Sequence, residues 1–534
     1  MFRDSGCRRR IVPGLLLGLL SVPFWSQAAN TQTPSNQGGY VFHSNTREVL
    51  TDVTVTDKHG NPIDGLSRSA FHIFDNGHQQ QLESFEAHAG APASIDASST
   101  APDLFSNAYL RHLPPSINAI LIDTTTIDIV DQMVLNQEMT RFVNALPTNQ
   151  SVAIYQRAVD GTILLQNFTS DHNLLLTAIH RAIPHLRQPG SWRASDRGTL
   201  LQMAAFLSQM PGRKNVLWFT GGSNLFLNPD PSRMPSYQSL REIYDELETE
   251  RIALYPIDAR GLTVEIFPAS ARQPMLRTGM IEAQQHMLMA DMAEATGGQA
   301  WYNNNGLAQI ASHTLGTDSH FYTLTYRPDN LKANDKWHKV KIAVDGGSYH
   351  LSYRRGYFDD GTGTSRPPRK TRIVLRAHGE TVEGPDRHTE PIIFEARVQP
   401  STTMQPSTAI QPQVPVQSTE VARPPKRNET PYAVRYTVPF DAVTREVVNG
   451  QTQISIGAAV LAFNHFGGLT ASVAEKLTFS LNEENAKASP TAKFSFDQQI
   501  NLPKGEDYLY IALWDIINGR VGTLQLPLDI EKPK

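Results

Sequence analysis

Between Pro114 and Gly316, short apolar runs alternate with stretches of helical spacing. No other feature of this chain limits its fold so tightly. The runs are Ile117 to Ile122, Ser151 to Tyr155, Ile163 to Phe168, Asn215 to Thr220 and Ile252 to Ile257. Between them Leu135, Met139, Phe142, Val143 and Leu146 recur at helical spacing, as do Leu174, Leu175, Ala178 and Ile179. Leu200, Met203, Ala204 and Leu207 repeat the pattern, then Leu240, Ile243, Tyr244 and Leu247, and Ile281 to Ala295 reads as a further helix capped at Gly297. Near-continuous apolar strands suit a sheet covered on both faces. Strands alternating with helices predict a parallel sheet with right-handed crossovers. In such a sheet, ligands bind at the carboxyl ends of the strands. The first strand ends at Asp123, followed by Thr124, Thr125 and Thr126. A carboxylate and hydroxyls are hard oxygen donors of the kind Mg2+ takes, and they would equally cap the helix that follows.

The flanks read differently. Arg3 and Arg8 to Arg10, the apolar stretch Ile11 to Trp25 and the small residues of Ser26-Gln27-Ala28 mark residues 1–29 as a secretory signal. That stretch is shorter than the roughly 20 residues needed to span a bilayer. The only cysteine, Cys7, falls within the signal and before its apolar stretch, which leaves the mature chain no disulfide, thiol nucleophile or cysteine metal site. No later segment reads as transmembrane, so an exported protein is expected, periplasmic or extracellular. A net charge of -4, with no concentrated basic face, argues against a nucleic-acid partner. At 534 residues the chain exceeds one ordinary core. Residues 40–88 predict an N-terminal β unit, with alternation from Glu48 to Thr56 and turns at Asn61-Pro62 and Asn76-Gly77. Residues 317–360 predict a β extension packed on the central region. Residues 370–398 and 430–531 predict a C-terminal β-sandwich, with the Pro-, Gln- and Ser-rich 399–429 as loop or linker.

Apolar strand, Asp-x-Thr and helix together look like the opening of a von Willebrand factor A domain. Three further stretches narrow the resemblance: Pro211-Gly212-Arg213-Lys214-Asn215-Val216-Leu217-Trp218-Phe219, Leu254-Tyr255-Pro256-Ile257-Asp258-Ala259-Arg260-Gly261-Leu262, and Ala293-Glu294-Ala295-Thr296-Gly297-Gly298. With Phe321 to Tyr326 and Arg354-Arg355-Gly356-Tyr357-Phe358, they resemble the exported VWFA-related proteins of soil bacteria. The resemblance implies an α/β plus all-β protein, a Rossmann-like von Willebrand factor A domain over 114–316 flanked by the β units. It also implies a sheet edge able to hold Mg2+ between an Asp-x-Ser-x-Ser loop, a second-loop Thr and a third-loop Asp, with a partner's carboxylate completing the shell. Asp123 matches the first carboxylate, Thr125 the first hydroxyl and Thr199 the second-loop threonine. Ile127 stands where the second hydroxyl belongs and Gly221 where the third-loop Asp is expected, so a degenerate metal site is expected.

Other chemistry lacks its signatures. No His-Glu-x-x-His, Walker loop or Gly-x-Ser-x-Gly occurs. Asp196-Arg197 reads as a solvated pair. The expectation is a secreted, non-enzymatic binding or adhesion protein that offers its loop edge to a protein or cell-surface ligand. The alternatives are an exported hydrolase-type enzyme with Asp123 and Asp258 as carboxylates, and a structural envelope component.

Overall fold

The computed structural model describes residues 48–90, 95, 97, 101, 103–182, 196–222, 237–261, 272–329, 337–358, 372–377, 380–383, 391–404, 424–481, 489 and 491–530. The secretory signal and most of 399–429 lie outside them. Ser116–Asp123 is the middle strand of a five-stranded sheet in the order Ile252–Asp258, Arg213–Thr220, Ser116–Asp123, Val152–Arg157, Thr162–Thr169. The first four are parallel and the last, reached by a tight hairpin, is antiparallel. Trp301 adds a parallel bridge beside Ile257.

Six helices accompany the sheet among the described residues: α1 (Ile129–Ala145), α2 (His172–Arg181), α3 (Asp196–Leu207), α4 (Tyr237–Thr249), α5 (Arg272–Thr296) and α6 (Leu307–Thr317). Strand side chains alternate between two cores, as a pleated backbone requires. Ile120, Ile122, Leu217 and Phe219 meet α1, α2 and α6 on one face. Ala119, Leu121, Val216 and Trp218 meet α3, α4 and Met292 of α5 on the other. The doubly wound arrangement read from the alternation is thus present. All eight residues of Ser116–Asp123 are buried, with the apolar run Ala119 to Ile122 at their centre.

The two β stretches read as separate units fold together. Val49–Thr56 pairs with Phe321–Tyr326 on one side and His350–Ser352 on the other, and Phe71–Asp75 pairs with Trp337–Val344. Two four-stranded sheets close over Val53, Phe71, Ile73, Tyr322, Leu324 and Ile342. Local alternation shows which residues face inward but not which strand lies opposite, so this long-range pairing was invisible in the sequence.

This sandwich sits at the amino edge of the α/β sheet. Arg251, just before the last parallel strand, holds Asp52 through two hydrogen bonds of 2.6 and 3.1 Å. Arg354 pairs with Glu248. Buried Arg213 reaches the Tyr255 hydroxyl at 2.9 Å and lies 3.8 Å from Asp318.

The C-terminal sandwich packs Val434, Tyr436, Phe494 and Phe496 against Ile454, Ile456, Val460 and Leu513. Its membership differs from the sequence reading. Leu104–Ser106 joins it as an edge strand, Arg372–Ala377 and Glu380–Glu383 pair with each other, and among the described residues of 370–398 the core members are Ile392, Phe394, Ala396 and Val398. The sandwich lies along the antiparallel edge of the α/β sheet. The Asp160 amide donates to the Phe466 carbonyl at 2.7 Å, and Phe206 of α3 meets Tyr510 with ring centres 6.0 Å apart. An edge strand covered in this way offers no free edge for pairing. Flanking units therefore take the amino edge and the antiparallel side of the α/β sheet, and at the carboxyl end the C-terminal sandwich touches only the hairpin that follows Arg157 among the described residues.

Candidate functional site

At that carboxyl rim, Asp123, Arg157, Thr220 and Asp258 end the four parallel strands. Register brings them level: Asp123 stands beside Arg157, and Asp258 beside Thr220. Asp123 is fully buried, and each of its oxygens accepts two hydrogen bonds. Oδ1 accepts from the Thr125 amide at 3.0 Å and the Thr125 hydroxyl at 2.7 Å. Oδ2 accepts from Arg157 Nη1 at 2.8 Å and the Thr220 hydroxyl at 3.2 Å. The same Nη1 lies 2.5 Å from Asp196 at the first residue of α3. Arg157 and Asp196 are buried as deeply as Asp123. Burial pulls the Arg157 pKa down, but the charges of Asp123 and Asp196 outweigh it and raise it above its usual value.

A buried carboxylate has about four acceptor positions. Those of Asp123 are all taken, one of them by a permanent cation. The residues present therefore do not fit Mg2+ at Asp123: the guanidinium lies against the carboxylate that would ligate the ion, and no acceptor position of that carboxylate remains. Thr125 is where the sequence places it, but its hydroxyl points its hydrogen at Asp123. Thr199 is wholly buried on the first turn of α3, and its hydroxyl makes no hydrogen bond, as a hydroxyl awaiting a ligand would. One orphan hydroxyl does not offset a fixed positive charge.

Gly221 closes the third-loop position. A Cβ there would lie 2.2 Å from the Thr126 carbonyl oxygen, so no aspartate side chain can be carried. Instead the Gly221 amide donates to the Thr126 hydroxyl at 3.0 Å, which bonds the Thr220 hydroxyl at 3.0 Å, which donates to Asp123. Gln132 of α1 ties the loop further, donating to the carbonyls of Thr124 and Ile127 at 3.0 and 2.7 Å. Ile127 is buried, and Asp128 is exposed at the start of α1.

Asp196 thus corrects the solvated-pair reading: it is an internal counter-ion of Arg157. Arg157 itself was missed. Its one sequence signal is position, a basic residue ending a strand that runs beside the strand ending in Asp123.

Asp258 occupies the other corner of the rim. Arg260 holds its Oδ1 through a backbone amide at 3.0 Å and Nε at 2.9 Å, and its Oδ2 through Nη2 at 2.6 Å. His286 Nε2 of α5 lies 2.8 Å from the same Oδ2. Burial pushes the Asp258 carboxyl up, but the hydrogen bonds from Arg260 and His286 outweigh it and hold the pKa at about 2. The two acidic strand ends therefore occupy separate, internally satisfied clusters and do not form a carboxylate pair. Asp131 of α1 is raised by partial burial, with the neighbouring charges of Asp128 and Asp258 adding to the rise and Arg260 opposing it.

The first two turns of α1 begin at this rim and carry apolar side chains into solvent. Ile129, Val130, Met133 and Val134 are all exposed, Val130 by 67% and Met133 by 70%. The inward residues of the same helix, Leu135, Met139, Phe142 and Val143, are buried.

No family model matches this chain, and no curated protein is similar to it. The solved structures similar to it include von Willebrand factor type A from Catenulispora acidiphila, at 11% identity over 61% of this chain and 78% of that one, with a TM-score of 0.27. The crystal structure of the SpRpn10 VWA domain is similar at 15% identity over 38% of this chain and 97% of that one, with a TM-score of 0.23. The ArnB paralog VWA2 from Sulfolobus acidocaldarius is similar at 9% identity over 54% and 75%, with a TM-score of 0.22. Likeness at this level carries no functional argument.

Proposed function

We propose that this is an exported, non-enzymatic binding protein, periplasmic or extracellular, whose α/β domain engages a protein or surface ligand through its carboxyl rim without a metal ion at Asp123. The observation that carries this reading is the exposed apolar face of α1 at the rim. Contiguous apolar surface is uncommon on an isolated soluble protein and marks contact sites. Ile129, Val130, Met133 and Val134 offer such a surface where the flanking sandwiches do not reach. Exposed Asp128 and half-buried Asp131 lie beside it. Charge complementarity at interfaces selects partners and speeds their encounter. A partner presenting apolar side chains flanked by basic groups fits this rim.

The test places a photo-cross-linking residue at Val130 or Met133 in cells that produce the protein, with a control at exposed Lys341 on the opposite sandwich. A discrete adduct from the rim positions, absent at Lys341 and lost when Val134→Glu is added, is expected. Failure of both rim positions to give an adduct, or equal adducts at both ends, overturns the reading.

A further inference from the structure

The rim holds a second constellation, separate from Asp123, whose chemistry the binding reading does not use. Asp258 ends its strand, and Glu282 and His286 lie one turn apart on α5, so both project toward the same side of that helix. One ligand atom from each of the three lies within 4.8 Å of the others. The His286 ring stacks on Tyr302, with centres 4.4 Å apart and planes 13° apart, which fixes its orientation with Nε2 toward Asp258. Asp258 is buried while Glu282 and His286 are partly exposed, so the cluster has one anchored and two reachable members. Arg260 takes three of the roughly four acceptor positions of Asp258 and also donates to Gln285 Oε1 at 3.2 Å. His286 takes the fourth, and here the site differs from Asp123: an imidazole can turn from donor to metal ligand and so vacate its position, whereas Arg157 cannot.

We propose that Asp258, Glu282 and His286 form a binding site for a divalent transition-metal ion, Zn2+ or Mn2+ in preference to Mg2+ or Ca2+. The donor set decides the preference. An imidazole nitrogen suits Zn2+ best; Mn2+ binds more weakly but accepts one imidazole beside carboxylates, whereas Mg2+ and Ca2+ select all-oxygen shells. The ion takes the place of the hydrogen between His286 Nε2 and Asp258 Oδ2; that proton moves to Nδ1 of a neutral ring, or is released to solvent from a protonated one, so the bound imidazole carries its hydrogen on Nδ1. Nε2 and Oδ2 stand 2.8 Å apart. Zinc with bonds of roughly 2.0–2.2 Å to each needs them to part by only about half an ångström. Arg260 stays on Asp258 as an outer-shell partner of the kind that fixes ligand orientation. Three protein ligands leave a position for water. The proposal stands or falls independently of what the α1 face binds.

The test uses the full chain without a histidine tag, stripped with chelator, and adds Zn2+, Mn2+ or Mg2+ alone. A rise of several degrees in Tm with about one equivalent of Zn2+ or Mn2+ is expected, with none from Mg2+ at the same concentration. Co2+ is expected to give a visible absorption band from an ordered site. Glu282→Gln and His286→Asn should each abolish the shift and the band while the metal-free Tm stays close to that of the parent. Thr125→Val, at the other corner, should leave both intact. No shift with Zn2+ or Mn2+, or a shift that survives both Glu282→Gln and His286→Asn, overturns the proposal. So does a shift lost only in Thr125→Val.

Discussion

At the scale of single residues, the rim is governed by Arg157. Burying a guanidinium is tolerable only because two carboxylates meet it, and the arrangement is asymmetric in its consequences. Removing one partner of a buried ion pair leaves an uncompensated charge and costs about 3–5 kcal/mol. Arg157→Gln should therefore lower the unfolding free energy by about that amount in urea titration. A loss below about 1 kcal/mol would mean that the charges are hydrated after all. Asp258 makes a separate prediction through pH. Its folded pKa of about 2 lies below the ordinary 3.8, so its ionised form is stabilised by folding. That contribution is present above the unfolded value and is lost as pH falls through the folded one, and it amounts to about 2 kcal/mol at neutral pH. The stability gap between the parent and Asp258→Asn should narrow by that much between pH 4 and pH 2, and a gap constant over that range would contradict the geometry.

At the scale of elements, α1 separates what packs from what is offered. Leu135→Ala should cost about 2–5 kcal/mol because it opens a cavity in the core. Met133→Glu and Val134→Glu should change stability by less than about 0.5 kcal/mol, as exposed positions do. Thermal unfolding of the three variants distinguishes these outcomes. The inward face of α1 was legible in the sequence, because Leu135, Met139, Phe142 and Val143 recur at helical spacing. Its outward apolar turns were not, because periodicity reports the inward face alone. The strand ends show the same division. Asp123 and its threonines stood out as a local pattern. Arg157 and Asp196 became partners only through strand register and helix placement, which join residues far apart in sequence. Ile127 and Gly221 were visible as departures from the Mg2+ pattern, and the structure supplies their reasons: one is buried, and the other presses against the Thr126 carbonyl.

At the scale of the whole described molecule, the chain returns on itself to hold the amino edge of the α/β sheet. Val49–Thr56 lies between Phe321–Tyr326 and His350–Ser352, so the N-terminal strand completes a sheet begun more than 260 residues away in sequence. Deleting residues 48–90 should strip hydrogen-exchange protection from 321–358 while Ser116–Asp123 and Arg213–Thr220 stay protected. Unchanged protection in 321–358 would mean that those strands are held by other contacts. With the amino edge and one flank covered, the carboxyl rim is left for contact, and its central carboxylate carries a built-in cation where the family resemblance implies Mg2+. Calorimetric titration of Mg2+ into the full chain, alongside Arg157→Gln, tests this most directly. The expected result is no Mg2+-dependent heat or Tm change in the parent and a Mg2+-dependent Tm rise in Arg157→Gln, whose Asp123 has lost its guanidinium. Stabilisation of the parent by Mg2+ that disappears in Asp123→Asn would contradict it.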